Sequence, residues 1–132
     1  SVSTMPKINR NQVLIQVFAA GVNRPDILQR KGLYNPPEDA SKLPGLEVSG
    51  LILKVGKNVK GLKINDKVCA LTHGGGYAQY CSVYYKHVLE IPKGYNFIEA
   101  AAIPETFFTV WANLFKIGKL RFQQSRFCLF SR

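Results

Sequence analysis

Lys67-Val68-Cys69-Ala70-Leu71-Thr72-His73-Gly74-Gly75-Gly76-Tyr77-Ala78-Gln79-Tyr80-Cys81-Ser82-Val83 is the stretch that decides the fold class. Its first part, Lys67–Leu71, is a short apolar run of strand length. Three consecutive glycines then break it. From Tyr77 the chain alternates. Tyr77, Gln79, Cys81 and Val83 point one way, and Ala78, Tyr80 and Ser82 the other, which is the period of a half-buried strand. Glycine tolerates any φ, so Gly74–Gly76 reads as a hairpin turn. A phosphate-cradling loop would need a strand–GxGxxG–helix setting, which is lacking here.

Outward from this core the pattern repeats. Val13–Ala19 is apolar and β-branched, a buried strand. Gly21–Asp26 breaks it, and Ile27–Lys31 fits one short helical turn with Asp26 as its cap. Gly32–Pro44 is a loop rich in turn residues that carries Tyr34. Glu47–Val55 is the next strand, followed by a turn at Gly56-Lys57-Asn58. Val88–Ile91 ends at Pro92. Strands this short and this often punctuated predict a mainly β barrel or sandwich. At Asn96 the period changes. Asn96-Phe97-Ile98-Glu99 is a capping box, and Ala100–Ala102 are strong helix formers. Pro104 interrupts, and a second helix fits Glu105–Ile117 with Gly118 as its C-cap. Phe107, Phe108, Trp111, Leu114 and Phe115 fall on one face of it. The expectation is therefore a mainly β fold with C-terminal helices.

Composition narrows the function classes. The chain has 132 residues, 46% of them hydrophobic, which suits one globular domain. No apolar run reaches the roughly 20 residues of a membrane span, and no signal peptide opens the chain. The expectation is a cytoplasmic protein without membrane partners. Three cysteines (Cys69, Cys81, Cys128) without a CxxC pair argue against a disulfide framework or zinc knuckle. Lys and Arg outnumber Asp and Glu by 18 to 8, a net charge of +10. The basic residues are spread along the chain, with the nearest approach to a cluster at Lys116, Lys119, Arg121 and Arg126. No nucleic-acid motif accompanies them, so a solvated surface is expected and a nucleic-acid partner is not.

Several motifs, in order, resemble the medium-chain dehydrogenase/reductase superfamily. They are Gly21-Val22-Asn23-Arg24-Pro25-Asp26, Gln29-Arg30-Lys31-Gly32-Leu33-Tyr34-Asn35-Pro36-Pro37, and Pro44-Gly45-Leu46-Glu47-Val48-Ser49-Gly50. Gly61–Val68 resembles the family's GxxxGDxV turn, with Asn65 in a glycine slot. Gly74–Tyr80 and Glu99–Trp111 complete the series, so the resemblance runs over residues 10–120. The wording is similar to the zinc-free, NADPH-dependent quinone oxidoreductase branch. That resemblance implies a GroES-like, partly open β-barrel over residues 1–95, missing part of its N-terminal side. It implies a helical connection over 96–120 towards a Rossmann domain that is missing here. Residues 121–132 then read as an aberrant tail, because the resemblance stops there and no glycine fingerprint follows.

Site residues carry over only by position. Zinc members of the superfamily place ligands where this chain has Asn23, Leu46 and Glu105, a set that cannot build zinc's N/S-rich tetrahedron. No metal is expected. The resemblance implies catalytic roles for Tyr34 and Asn23 and cofactor contacts from Asn23, Arg24 and Thr109. The cofactor would be NADPH and the substrate a quinone or enone. Each residue also has a plain structural reading. Asn23 would satisfy a backbone turn, Tyr34 pack on the barrel, Thr109 bond back to a carbonyl, and Arg24 be a surface charge. Glu47 is a buried carboxylate that must find donors. The parent would be a homodimer, and a separate Rossmann-domain chain could complete the cleft. The alternative is a non-catalytic GroES-like binding module or a gene remnant. Alone, the chain is expected to be inactive and to bind NADPH weakly.

Overall fold

Residues 4–38 and 40–120 are described by the structure, a computed structural model. The apolar runs form five strands: β1 (Gln12–Ala20), β2 (Glu47–Val55), β3 (Lys67–Leu71), β4 (Tyr80–Tyr84) and β5 (Val88–Glu90). They make one sheet in the order β4-β1-β2-β3-β5, and every pairing is antiparallel. The two edge strands, β4 and β5, are joined by the single 3-10 turn Tyr85–His87. The four links from Tyr84 to Val88 reach at most about 14 Å. A flat sheet would set those edges roughly 19 Å apart. The sheet therefore has to curl, and because β4 and β5 do not pair it stays open along that seam. The result is the expected mainly β, partly open barrel.

Gly74–Gly76 does not form a hairpin, contrary to the sequence expectation. β3 pairs with β2 and β5, whereas β4 pairs with β1. Local period identified two strands but could not tell whether they were partners. The glycines instead pass the chain across one barrel end, with Gly74 at φ 80 and Gly75 at φ 82. Their amides bond to a different loop: Gly75 N–H to Leu43 O (2.7 Å) and Gly76 N–H to Gly45 O (3.1 Å). Tyr77 consequently lies in the crossing segment, outside β4.

The barrel interior is apolar. Val13, Ile15, Val48, Ile52, Val68, Ala70, Cys81 and Val83 are buried together, with Val59, Leu62 and Tyr85 packed against them. Cys69 and Cys81 are free, buried thiols. Burial pushes the Cys81 thiol up to about 12, so it stays a neutral core group. Cys128 lies outside the described residues, as does the expected aberrant tail.

Helix α1 (Arg24–Arg30) starts earlier than the apolar pattern implied, and its N-cap is Asn23, not Asp26. Asp26 sits inside the first turn, where its Oδ2 accepts the Asn23 amide at 3.0 Å. Pro25 explains the early start, since proline suits a helix's first turn. Helix α2 (Phe97–Ala101) has the capping box read from the sequence. Glu99 N–H donates to Asn96 Oδ1, and Asn96 N–H to Glu99 Oε2, both at 2.9 Å. Ala100 and Ala101 are buried, and the helix packs on β1, β2 and β3. Helix α3 (Pro104–Trp111) begins at its proline and widens into a π-helical turn, Ala112–Ile117. Gly118 at its end keeps φ −74, and Lys119 takes the left-handed conformation instead at φ 50. The expected single apolar face divides: Phe107 and Trp111 remain 65% and 64% exposed, while Phe108 and Leu114 are half-buried.

Asn65 has φ 72. Asparagine is among the few non-glycine residues that visit this region readily, which accounts for its place in a glycine slot. Replacing it with valine forces a β-branched side chain into the left-handed region. We expect Asn65→Val to cost about 1–2 kcal/mol, with Asn65→Gly tolerated. Urea unfolding midpoints of the two variants measure this, and equal midpoints would contradict it.

Candidate functional site

Glu47, the first residue of β2, is 3% exposed. A carboxylate buried this deeply needs donors, and the fold supplies two. Asn23 Nδ2 donates to Glu47 Oε1 at 2.9 Å, and the Glu105 backbone N–H donates to Oε2 at 2.9 Å. Glu47 thus ties the start of α1 to the first turn of α3, where unpaired amides face an anion favourably. Gly21 makes room for it: a Cβ there would lie 2.1 Å from Glu47 Oε1.

Asp26 is the second hub, 4% exposed. Its Oδ1 accepts Gly45 N–H (2.8 Å), and its Oδ2 accepts Asn23 N–H (3.0 Å) and Tyr77 O–H (3.0 Å). Thr72 Oγ1 in turn donates to Gly45 O at 2.6 Å. These bonds pin α1, the loop before β2 and the glycine crossing to one another. Sequence reasoning did not single out Asp26, Thr72 or Tyr77 as part of the site. Their only signal was chemical type, since the partners lie far apart along the chain.

The charges interact. The Glu105 carboxyl is held above its ordinary range by burial, then by the negative charges of Glu47 and Asp26, with a Thr109 hydrogen bond opposing. Burial and the bond to Asp26 push the Tyr77 phenol up to about 12. An unfolded tyrosine deprotonates near 10. Between about pH 10 and 12 the folded chain therefore holds more protons than the unfolded one, and stability falls as pH rises through that window. Tyr77→Phe is expected to flatten that fall and to remove the last phenol from the tyrosinate absorbance titration. An unchanged high-pH phase in the variant would refute the assignment.

The structure brings some of the expected residues together. Asn23 is half-buried at the N-cap of α1, so it serves a backbone turn while its side chain reaches Glu47. Thr109 is exposed on α3, one turn after Glu105. Arg24 is exposed at the first position of α1. Tyr34 is 39% exposed in the following loop, and no hydrogen bond joins it to the Asn23–Glu47 group. Among the described residues, no group of three or more His, Cys, Asp or Glu side chains is placed to hold a metal ion.

A cavity of about 1110 Å³ lies beside the glycine crossing, walled by Ser41, Leu43, Thr72, His73, Tyr77 and Cys81 among others. None of Asn23, Arg24, Tyr34 or Thr109 lines it. Thr72 and Tyr77 line this cavity and also belong to the Asp26 hydrogen-bond group.

Comparison with known proteins places this arrangement. The alcohol dehydrogenase GroES-like domain family matches over residues 9–93. The zebrafish (Danio rerio) synaptic vesicle membrane protein VAT-1 homolog is 36% identical over 120 residues, covering 91% of this chain and 25% of that protein. Mouse (Mus musculus) quinone oxidoreductase is 34% identical over 122 residues, covering 92% of this chain and 37% of its own length. Among solved structures, Escherichia coli quinone oxidoreductase complexed with NADPH superposes with a TM-score of 0.74 at 30% identity, over 88% of this chain and 36% of that one. The chain thus spans 25% to 37% of the length of these three relatives.

Proposed function

As the chain belongs to the alcohol dehydrogenase GroES-like domain family, we propose that it is the substrate-side domain of a zinc-free, NADPH-dependent reductase of quinones or enones, inactive by itself. The homologues include quinone oxidoreductases of the medium-chain superfamily, and the chain is homologous to their N-terminal domain. In this reading residues 1–95 are that domain and 96–120 lead towards a nucleotide-binding domain, with residues 121–132 outside both.

The observation that carries the reading is the Asn23–Glu47 bond. Asn23 stands where zinc relatives resemble one another in carrying a metal ligand. Here one side-chain N–H is committed to Glu47 at 2.9 Å. The bond fixes the carboxamide's orientation. Its second N–H can then serve a substrate carbonyl oxygen as negative charge grows on it. Leu46, half-buried, offers a metal nothing.

NADPH suits the exposed residues on this side. Arg24 would meet a cofactor phosphate, since a guanidinium forks onto phosphate oxygens. Asn23 and Thr109 would line the nicotinamide end, and Tyr34 the substrate side, where a phenol can stack on a flat ring. When bound, the cofactor supplies the hydride, and this chain's residues orient the acceptor. A cytoplasmic location and a homodimeric parent go with this reading.

The test is a fusion of this chain to the nucleotide-binding domain of the mouse quinone oxidoreductase, with NADPH oxidation followed in the presence of a naphthoquinone. We expect no turnover from the chain alone and chelator-resistant turnover from the fusion. Asn23→Ala should lower kcat roughly a hundredfold, the scale of one lost oxyanion donor. Turnover abolished by a chelator and restored by zinc would sink the zinc-free reading. Turnover by the chain alone would sink its dependence on a second domain.

A further inference from the structure

The loop from the end of β2 to the start of β3 has a strict three-residue rhythm. Gly56, Val59 and Leu62 turn inward, and Val59 and Leu62 pack on the barrel core. Lys54, Lys57, Lys60 and Lys63 are all exposed. The loop is not free to rearrange. Gly56 N–H donates to Gln12 O (2.9 Å), Asn58 N–H to Arg10 O (2.9 Å), and Asn65 N–H to Ile52 O (2.8 Å). Asn58 Nδ2 also reaches Asn11 Oδ1 at 2.9 Å. These bonds bring Arg10 alongside the lysines, and Lys7 lies with Lys54 around a shared groove.

Six cations therefore crowd one barrel end, and none has an ion pair among the described residues. The loop's one carboxylate, Asp66, is spent on the Lys63 backbone N–H at 2.8 Å. Among these cations stand exposed apolar side chains: Ile64 at 54%, Met5 at 49% and Val55 at 38%. This end is also remote from the Asn23–Glu47 group. β2 runs from Glu47 to Val55, and eight strand steps span roughly 26 Å.

We infer that this barrel end is a docking surface for an anionic lipid bilayer. Five of these six cations are lysines, point charges on flexible stems, and Arg10 is the one guanidinium among them, whereas nucleic-acid recognition favours arginine forks. Apolar side chains ringed by uncompensated lysines fit a charged interface with an acyl boundary beneath it. The barrel approaches the headgroups end-on, Ile64 enters the interface, and the Asn23–Glu47 side faces away, open to solute. No helix among the described residues is long and apolar enough to cross a membrane, and surface docking requires none.

The experiment is co-sedimentation of the full chain with phosphatidylcholine vesicles, with and without phosphatidylserine. Binding is expected only with phosphatidylserine and should weaken with added salt. Lys57→Glu, Lys60→Glu and Lys63→Glu together should lower vesicle affinity more than about a hundredfold, at roughly fivefold per charge removed. Ile64→Ser should lower it roughly tenfold at unchanged charge. Lys54→Gln with Lys60→Gln provides a milder second set, and thermal unfolding checks that each variant folds. Absence of phosphatidylserine-dependent binding overturns the inference, as does binding indifferent to the lysines. Full binding by Ile64→Ser, with displacement by a single-stranded RNA oligonucleotide, identifies a general polyanion surface and also overturns it.

Discussion

Gly45→Ala is expected to destabilise this domain severely. Gly45 has φ +107, a conformation nearly closed to any residue with a Cβ. A Cβ there would also lie 2.6 Å from Gly76 Cα and 2.6 Å from Tyr77 N. Both obstacles are backbone, so no rotamer change relieves them. The same residue joins three segments: its N–H serves Asp26, and its carbonyl accepts from Gly76 N–H and Thr72 Oγ1. Overpacking and backbone strain together come to roughly 3–5 kcal/mol. A domain with about 5–15 kcal/mol in total would be left near its threshold. Gly32→Ala is the control. Gly32 shares a positive φ of +71 but has nothing within 4 Å of a new Cβ, so it should lose only about 1–2 kcal/mol. Urea unfolding followed by far-ultraviolet circular dichroism compares them. Equal losses in the two variants would show that the Gly45–Gly76 approach does not matter.

The second large effect concerns Glu47, where two replacements should behave differently. Glu47→Leu removes both acceptors and strands Asn23 Nδ2 and the Glu105 N–H. Losing the partners of two part-buried donors is expected to cost about 2–4 kcal/mol. Glu47→Gln keeps one acceptor for the Glu105 amide. Its new NH₂ faces Asn23, whose carboxamide can turn over and accept with its oxygen. That variant should stay within about 1 kcal/mol of the parent. Its clear signature is in pH dependence. Glu105 titrates above its ordinary range, first through burial and then through the Glu47 charge. A carboxyl raised on folding contributes stability that is present below its unfolded value and lost as pH rises through its folded value. Without the Glu47 charge, the Glu105 titration should move down and the stability lost across that window should shrink. Carboxyl NMR shifts and unfolding at several pH values measure both. Glutamine as damaging as leucine would mean that the charge, not the hydrogen bonding, holds this junction.

Much of the local structure was readable before any coordinates. Alternation marked β4, continuous apolar runs marked β1, β2 and β3, and Asn96 with Glu99 marked the start of α2. Asn65 was placed in a glycine slot by resemblance, and the structure gives it the left-handed backbone such a slot suits. The start of α1 was misread because Asn23, Arg24 and Pro25 carry no apolar periodicity. Asp26 then looked like the first capping residue, when it is the third residue into the helix.

The candidate site was less legible. Asn23, Arg24, Tyr34 and Thr109 came from resemblance, and Glu47 was recognised only as a carboxylate in need of donors. Its donors come from Asn23 and Glu105, 24 and 58 residues away. Asp26 finds Tyr77 across 51 residues. No period or turn signal extends that far.

By itself, then, the amino-acid sequence determined what depends on neighbours within a few residues: strand and helix type, the capping box of α2, and the breaks between elements. These follow from steric and hydrogen-bonding preferences carried by each short segment. Only the tertiary structure decided which strands pair, that the glycine crossing joins β3 to β4 without a hairpin, and which side chains surround Glu47 and Asp26. Those outcomes depend on closure of the curled sheet, a condition on the whole chain that no single segment contains.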